Sequence, residues 1–138
     1  MVMREPYRIL VAAGVIEQAG RVLICQRKAG SRQGLKWEFP GGKVKTGESP
    51  RIALVRELRE ELGIEASVGS ELARQEHAYP RGAAVQLVFF KVRSFTGEIE
   101  NRIFERIVWE QLSKLPSYDF LEGDVAFVRK LAAGSPPL

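Results

Sequence analysis

"FPGGKVKTGESPRIALVRELREELGI", residues 39–64, sets paired glycines, a lone acid and a glutamate-dense helix in a single run. Ser49-Pro50 is a helix start, because serine accepts from the free amides of the first turn and proline suits the first helical position. Gly63 can take the left-handed conformation that ends a helix. At about 100° of rotation per residue, Leu54, Val55, Leu58 and Leu62 gather on one side, with Ile52 at its margin. Glu57, Glu60 and Glu61 take the opposite side, with only the small Ala53 among them.

A solvated acidic face is the ordinary reading of such a helix. Two effects oppose it here. Like charges at spacings of three and four repel by a few tenths of a kcal/mol per pair. Glu60 and Glu61 also sit in the last turn, where the helix dipole disfavours anions. A cation held by the acids would relieve both. All-oxygen ligation selects a hard ion such as Mg²⁺ or Mn²⁺, and one His and one Cys cannot build a zinc site. Gly41-Gly42, just upstream, lets the backbone approach a metal or phosphate closely, and reads as a loop.

Working outward, "YRILVAAGVIEQAGRVLICQR" reads as two strands joined by a turn at residues 18–20, and "KAGSRQGLK" as a basic, glycine-rich loop. A short strand "WEF" stops at Pro40. Beyond the helix, "ASVGSELARQEHAYP", "AAVQLVFFKVRSF" and "ERIVWEQL" read as strands, with "TGEIENRIF" as the connection before the last. "SYDFLEGDVAFVRKLAA" has helical spacing at Phe120, Val125, Val128 and Leu131, and "GSPPL" reads as a frayed tail. Strands on both sides of a central helix, followed by a terminal helix, imply an α+β fold with a mixed sheet between helices.

With 138 residues, residues 1–138 fit one domain with a real core. The net charge of +4 and pI near 9.5 suit an anionic small molecule, but are too small a surplus to imply duplex DNA binding. Cys25 is the single cysteine, so no internal disulfide forms and a reducing compartment is favoured. No apolar run has the length of a membrane span and no signal-peptide pattern opens the chain, so the expectation is cytoplasmic.

Gly42, five residues to Glu48, seven more to "REL", then Arg59, "EE", Leu62, Gly63 and Ile64 resemble the Nudix box at every defined position. "WEFPGGK" and "ALVRELREELGI" are similar to the MutT branch of that family. The resemblance implies an α/β/α sandwich, with the mixed sheet between the Nudix helix and a C-terminal helix. It implies Mg²⁺-dependent hydrolysis (Mn²⁺ serving in its place) of modified nucleoside triphosphates such as 8-oxo-dGTP, to monophosphate and pyrophosphate, in nucleotide-pool sanitation. Glu57, Glu60, Glu61 and the Gly41 carbonyl would hold the metal. Arg56 and Glu48 would pair to hold the loop against the helix, and Arg27 and Gly42 would meet the phosphates.

The pattern departs from the family at two places. The family's further glutamate falls six residues before the late tryptophan; here that tryptophan is Trp109 and the position is Ile103, with Glu105 and Glu100 as the nearby substitutes. Glu105 is therefore the candidate base, with Glu60 or Glu61 as alternatives. Where MutT presents an asparagine to the base, this chain has Asp124, a change that fits a CTP-preferring relative. Phe39 and Trp37 are candidates to line the base site, with Tyr79 and Arg81 at its border and His77 a strand residue. The other readings are a CTP, methylated-dCTP or ADP-ribose hydrolase, and, from another class, a nucleotide- or RNA-binding module without catalysis. The expected partner is a small nucleotide, with no stable nucleic-acid or membrane binding, in a monomer or homodimer.

Overall fold

Residues 87–90 are buried in succession, and their alternate side chains enter two different cores. Val88 and Phe90 pack with Leu54, Leu58 and Leu62, while Leu87 and Phe89 pack with Phe39, Phe127 and Leu131. Successive strand residues point to opposite faces, so a strand buried on both faces lies in a sheet covered on both sides. The computed structural model describes residues 8–79 and 83–138. Its elements run β1 (Arg8–Val15), β2 (Glu17–Gln18), β3 (Arg21–Gln26), β4 (Trp37–Glu38), β5 (Gly41–Lys43), α1 (Pro50–Leu62), β6 (Glu65–Ala78), β7 (Ala84–Thr96), β8 (Arg106–Gln111) and α2 (Val125–Ala132).

The order β5-β1-β7-β6 makes a mixed sheet, with β1 parallel to β7 and the other pairs antiparallel. It lies between α1 and α2, as the sequence implies. A second, smaller antiparallel sheet joins β3 to β2, β4 and β8. Leu54, Leu58 and Leu62 are fully buried, each contributing about 1.5–3 kcal/mol of apolar burial toward docking α1. The ends of α1 follow their local chemistry. Ser49 Oγ accepts from the Ile52 amide at 3.2 Å, and Gly63 (φ 69°) donates its amide to the Arg59 carbonyl at 3.0 Å.

Two expectations are corrected. Gly41-Gly42, read as a loop, forms β5, an edge strand paired with Ala13 and Ala12 of β1. The C-terminal helix starts later than the apolar spacing implies: Phe120 forms an isolated bridge with Trp37, and residues 122–124 make a 3₁₀ turn before α2. Gly123 sits tight against β7 there, since a Cβ on it would lie 2.8 Å from Leu87 Cδ1. Cys25 is buried, and among the described residues no helix is long and apolar enough to cross a membrane.

Candidate active site

β5 brings the two glycines beneath α1, and each is needed for a different reason. Gly41 has φ 151°, and a Cβ on it would stand 2.0 Å from the Ala12 carbonyl oxygen of β1. A Cβ on Gly42 would instead stand 2.5 Å from the Glu57 carboxyl carbon. One glycine permits the strand pairing, and the other leaves room for an acid.

That strand also changes the environment of the acidic face. Glu61 is only 6% exposed, and its Oε1 accepts from the Gly41 amide at 3.2 Å. Burial, followed by a hydrogen bond with Glu57 and the charge of Glu57, pushes the Glu61 carboxyl up to about 9, against the opposing pull of the Gly41 amide. Arg56 organises the rest. It donates Nε to Glu48 Oε2 at 2.7 Å and Nη2 to Glu48 Oε1 at 2.9 Å, a bidentate pair. Its Nη1 donates to Glu57 Oε1 at 2.9 Å and to Glu60 Oε2 at 3.4 Å, and Nη2 also meets the Lys43 carbonyl. The Arg56 hydrogen bonds, with the Lys45 amide, hold Glu48 down at about 2. Glu48 raises the Arg56 guanidinium further above its ordinary value, with Glu57 adding to this.

Among the described residues no three acidic, His or Cys side chains are gathered into a cation cage. The reason is visible in the partners: Arg56 is drawn between Glu57 and Glu60, while Glu61 turns to Glu57 and Gly41. The donor set still fits a hard dication. Two carboxyl groups are pressed together in a largely buried place where ionising both is costly without a countercharge, and every donor is oxygen.

A cavity of about 190 Å³ adjoins this cluster, lined by Arg27, Lys28, Glu38, Gly41, Glu61 and Ile103 among others. Arg27 donates Nη1 to both Glu38 oxygens at 3.1 Å and Nε to the Arg32 carbonyl at 2.9 Å. Burial raises Glu38, and Arg27 pulls it back. A larger groove of about 510 Å³ runs along the outer side of α1, past Ile52, Val55 and Val68. It is lined mainly by apolar atoms, and the arginines at its rim are paired within the fold: Arg51 to Val68 and Gly69 carbonyls, Arg56 to Glu48, Arg59 to Glu65.

Among the described residues, the remaining candidates do not line the cavity of about 190 Å³. Glu105 is turned toward the basic loop, where its Oε1 accepts from the Ala29 amide at 3.3 Å, and Ile103 is 47% exposed on the cavity wall. Asp124 is 4% exposed and caps no amide of α2; burial first, then the Glu38 charge, push its carboxyl up to about 8. Phe39 is a core residue ringed by Phe89, Phe120 and Phe127, and Trp37 packs edge-on to Tyr118. His77 lies on β6 with Tyr79 edge-on to it, and Arg81 lies outside the described residues. Glu38 and Lys28 were missed from sequence, although both flank residues singled out there, Phe39 and Arg27.

The NUDIX domain model matches residues 6–131. The chain belongs to the Nudix family. It is 39% identical over 125 residues to the CTP pyrophosphohydrolase of Escherichia coli strain K12, covering 91% of this chain and 92% of that one. It is 38% identical over 101 residues to the 8-oxo-dGTP diphosphatase of Proteus vulgaris, covering 72% of this chain and 89% of that one. Among solved structures, that of the E. coli ORF135 protein superposes with a TM-score of 0.84 at 38% identity, over 96% of both chains. The chain is a MutT-like Nudix hydrolase, in a family that works with divalent metal.

Proposed function

We propose that this Nudix hydrolase cleaves modified nucleoside triphosphates of the 8-oxo-dGTP type to a nucleoside monophosphate and pyrophosphate, using Mg²⁺, with Mn²⁺ able to replace it. The observation that carries the reading is the Glu57–Glu61 carboxyl pair beside Gly41 and Gly42. Glu57, Glu60, Glu61 and the Gly41 carbonyl would hold the cation, which when bound would offset phosphate charge and acidify a water. Arg56 holds Glu57 and Glu60 to the Glu48 loop. Arg27 and Lys28 face the cavity with positive charge for the phosphates. Glu61 lines that cavity and Glu105 turns to Ala29; a bound cation would offset the burial and the Glu57 charge that keep the Glu61 carboxyl protonated, which favours Glu61 as the proton acceptor.

The similarity to a CTP pyrophosphohydrolase supports a second reading, with cytosine nucleotides as the alternative substrate class. Asp124, whose carboxyl is raised to about 8 and keeps its proton at neutral pH, would donate and accept at a base edge as an asparagine does, which suits an oxidised purine as well as cytosine. The reading further takes the chain as one cytoplasmic domain, acting on free nucleotides as a monomer or homodimer. The test is hydrolysis of a panel of normal, oxidised and methylated triphosphates and ADP-ribose, with product identification, with and without EDTA. Metal-dependent release of pyrophosphate supports the proposal. Binding without cleavage under any metal condition would favour a binding module, and cleavage limited to ADP-ribose would overturn the triphosphate assignment.

A further inference from the structure

The last four carbonyls of an α-helix have no partner inside it. In α1 these belong to Arg59, Glu60, Glu61 and Leu62, the turn that carries two of the acids. Gly63 reaches back to the Arg59 carbonyl, and much of the remaining capping comes from the connection between β7 and β8, some forty residues further along. The Arg102 amide donates to the Glu61 carbonyl at 3.1 Å, and the Glu100 amide donates to the Leu62 carbonyl at 2.9 Å. The Arg102 guanidinium adds Nη1 to the Arg59 carbonyl at 3.2 Å. It lies so close over the helix end that a Cβ on Gly63 would meet Arg102 Nη2 at 2.7 Å.

The connection is itself held firmly. Asn101 donates Nδ2 to the Phe104 carbonyl at 2.9 Å and accepts the Phe104 amide at 2.8 Å, closing a local turn. Phe104 is 6% exposed and packs in the core that contains Leu58 and Leu62. Glu100 accepts from Arg102 Nε at 3.1 Å, which fixes the guanidinium laterally.

We propose that Arg102 is a positioning residue for the metal site. Anchored on this connection, it fixes the last turn of α1 so that Glu60 and Glu61 reach a divalent cation together with Glu57. The inference rests on reading those glutamates as the metal ligands. Two effects of Arg102 on a dication have opposite signs. Its charge repels the ion, whereas its capping holds the ligands where the ion needs them. The Arg102 side chain is 46% exposed, so water screens its charge, whereas its Nη1 bond to the Arg59 carbonyl acts directly on the ligand-bearing turn. Positioning outweighs repulsion.

The test is Mn²⁺ binding to the full chain, read by the electron paramagnetic resonance signal of free Mn²⁺. Wild type is compared with Arg102→Ala, Arg102→Met, Arg102→Lys, Glu57→Gln and the exposed control Arg129→Ala. Removing a group that orients ligands costs about tenfold or more in metal affinity, so Arg102→Ala and Arg102→Met are each expected to weaken Mn²⁺ binding about tenfold. The metal concentration for half-maximal activity should rise by the same factor, with the nucleotide KM at saturating metal unchanged. Arg102→Lys, which keeps a donor and the charge, should recover most of the affinity, and Arg129→Ala should match wild type. If Arg102→Ala does not fold, the methionine variant carries the comparison. Unchanged or tighter Mn²⁺ binding in the folded variants, with only a lower Tm, would overturn the inference. Unchanged binding in Glu57→Gln would instead show that the ligand assignment beneath it is wrong.

Discussion

Adding one methyl group at Gly42 or at Gly41 should give opposite outcomes, because the two groups collide with different things. At Gly42 the new carbon would lie 2.5 Å from Glu57 Cδ and 2.7 Å from both its oxygens. Ordinary contact begins at 3.4 Å, so the carboxylate must retreat by roughly 0.9 Å. It sits at the end of a flexible side chain, so the cost to folding is small, under about 1 kcal/mol. A catalytic group misplaced by about 1 Å loses on the order of 10²-fold in rate, and Gly42→Ala should lose turnover on that scale. At Gly41 the carbon would meet backbone: the Ala12 oxygen at 2.0 Å and Ala13 Cα at 2.8 Å, at a φ of 151°. Neither atom can yield without parting β5 from β1, so Gly41→Ala should destabilise by about 3 kcal/mol. Guanidinium chloride unfolding and pyrophosphate release at saturating Mg²⁺ separate the two. Near-full activity in Gly42→Ala, or equal destabilisation by both changes, would refute the reasoning.

Three further outcomes are expected. Glu48 has its carboxyl depressed to about 2, so its pairing stabilises the fold above the ordinary value near 4.5 and is lost as pH falls toward 2; Glu48→Gln should remove that component of acid unfolding, as followed by circular dichroism from pH 6 to 2. Asp124 has the opposite sign. Its carboxyl is raised from near 3.8 to about 8, so its contribution is full below the lower value and lost as pH rises through the upper one. Relative to Asp124→Asn, wild type should lose up to about 1.4 kcal/mol per pH unit across that window, and parallel stability curves for the two proteins would contradict the assignment. Glu61→Gln should lower kcat by about 10²–10⁴-fold, whereas Glu105→Gln should change it less than about tenfold and act on KM through the loop at Ala29; the reverse ranking would make Glu105 the base.

The helix was legible because its signals are local. Ser49, Pro50 and Gly63 each act within one turn, and Leu54, Leu58 and Leu62 repeat at the helical period. The burial of Glu61 was not, because it depends on β5 crossing beneath α1 and on a pairing with β1 some thirty residues away in sequence. Glycine is a poor strand former, so Gly41-Gly42 gave no local sign of that strand. Asp124 was recognisable as a candidate by its place before the last helix, but its burial, and the proximity of Glu38 that raises it further, arise only when the two sheets close on one another. Arg102 carried no signal at all, since an arginine in a charged connection reads as solvated until the fold lays it across the end of α1. Phe39 shows the converse: its neighbours in sequence suggested the site, and its neighbours in space are the aromatic core.

The central claim is that Glu57, Glu60 and Glu61, beside the Gly41 carbonyl, hold the divalent ions that hydrolysis requires. Crystals grown with Mn²⁺ and a non-hydrolysable triphosphate, measured at the manganese absorption edge, test it most directly. Anomalous peaks are expected within coordinating distance of those carboxylates, with Arg56 displaced from Glu57 and Glu60 but still paired to Glu48. Manganese bound only elsewhere, with Arg56 still bridging Glu57 and Glu60, would contradict it.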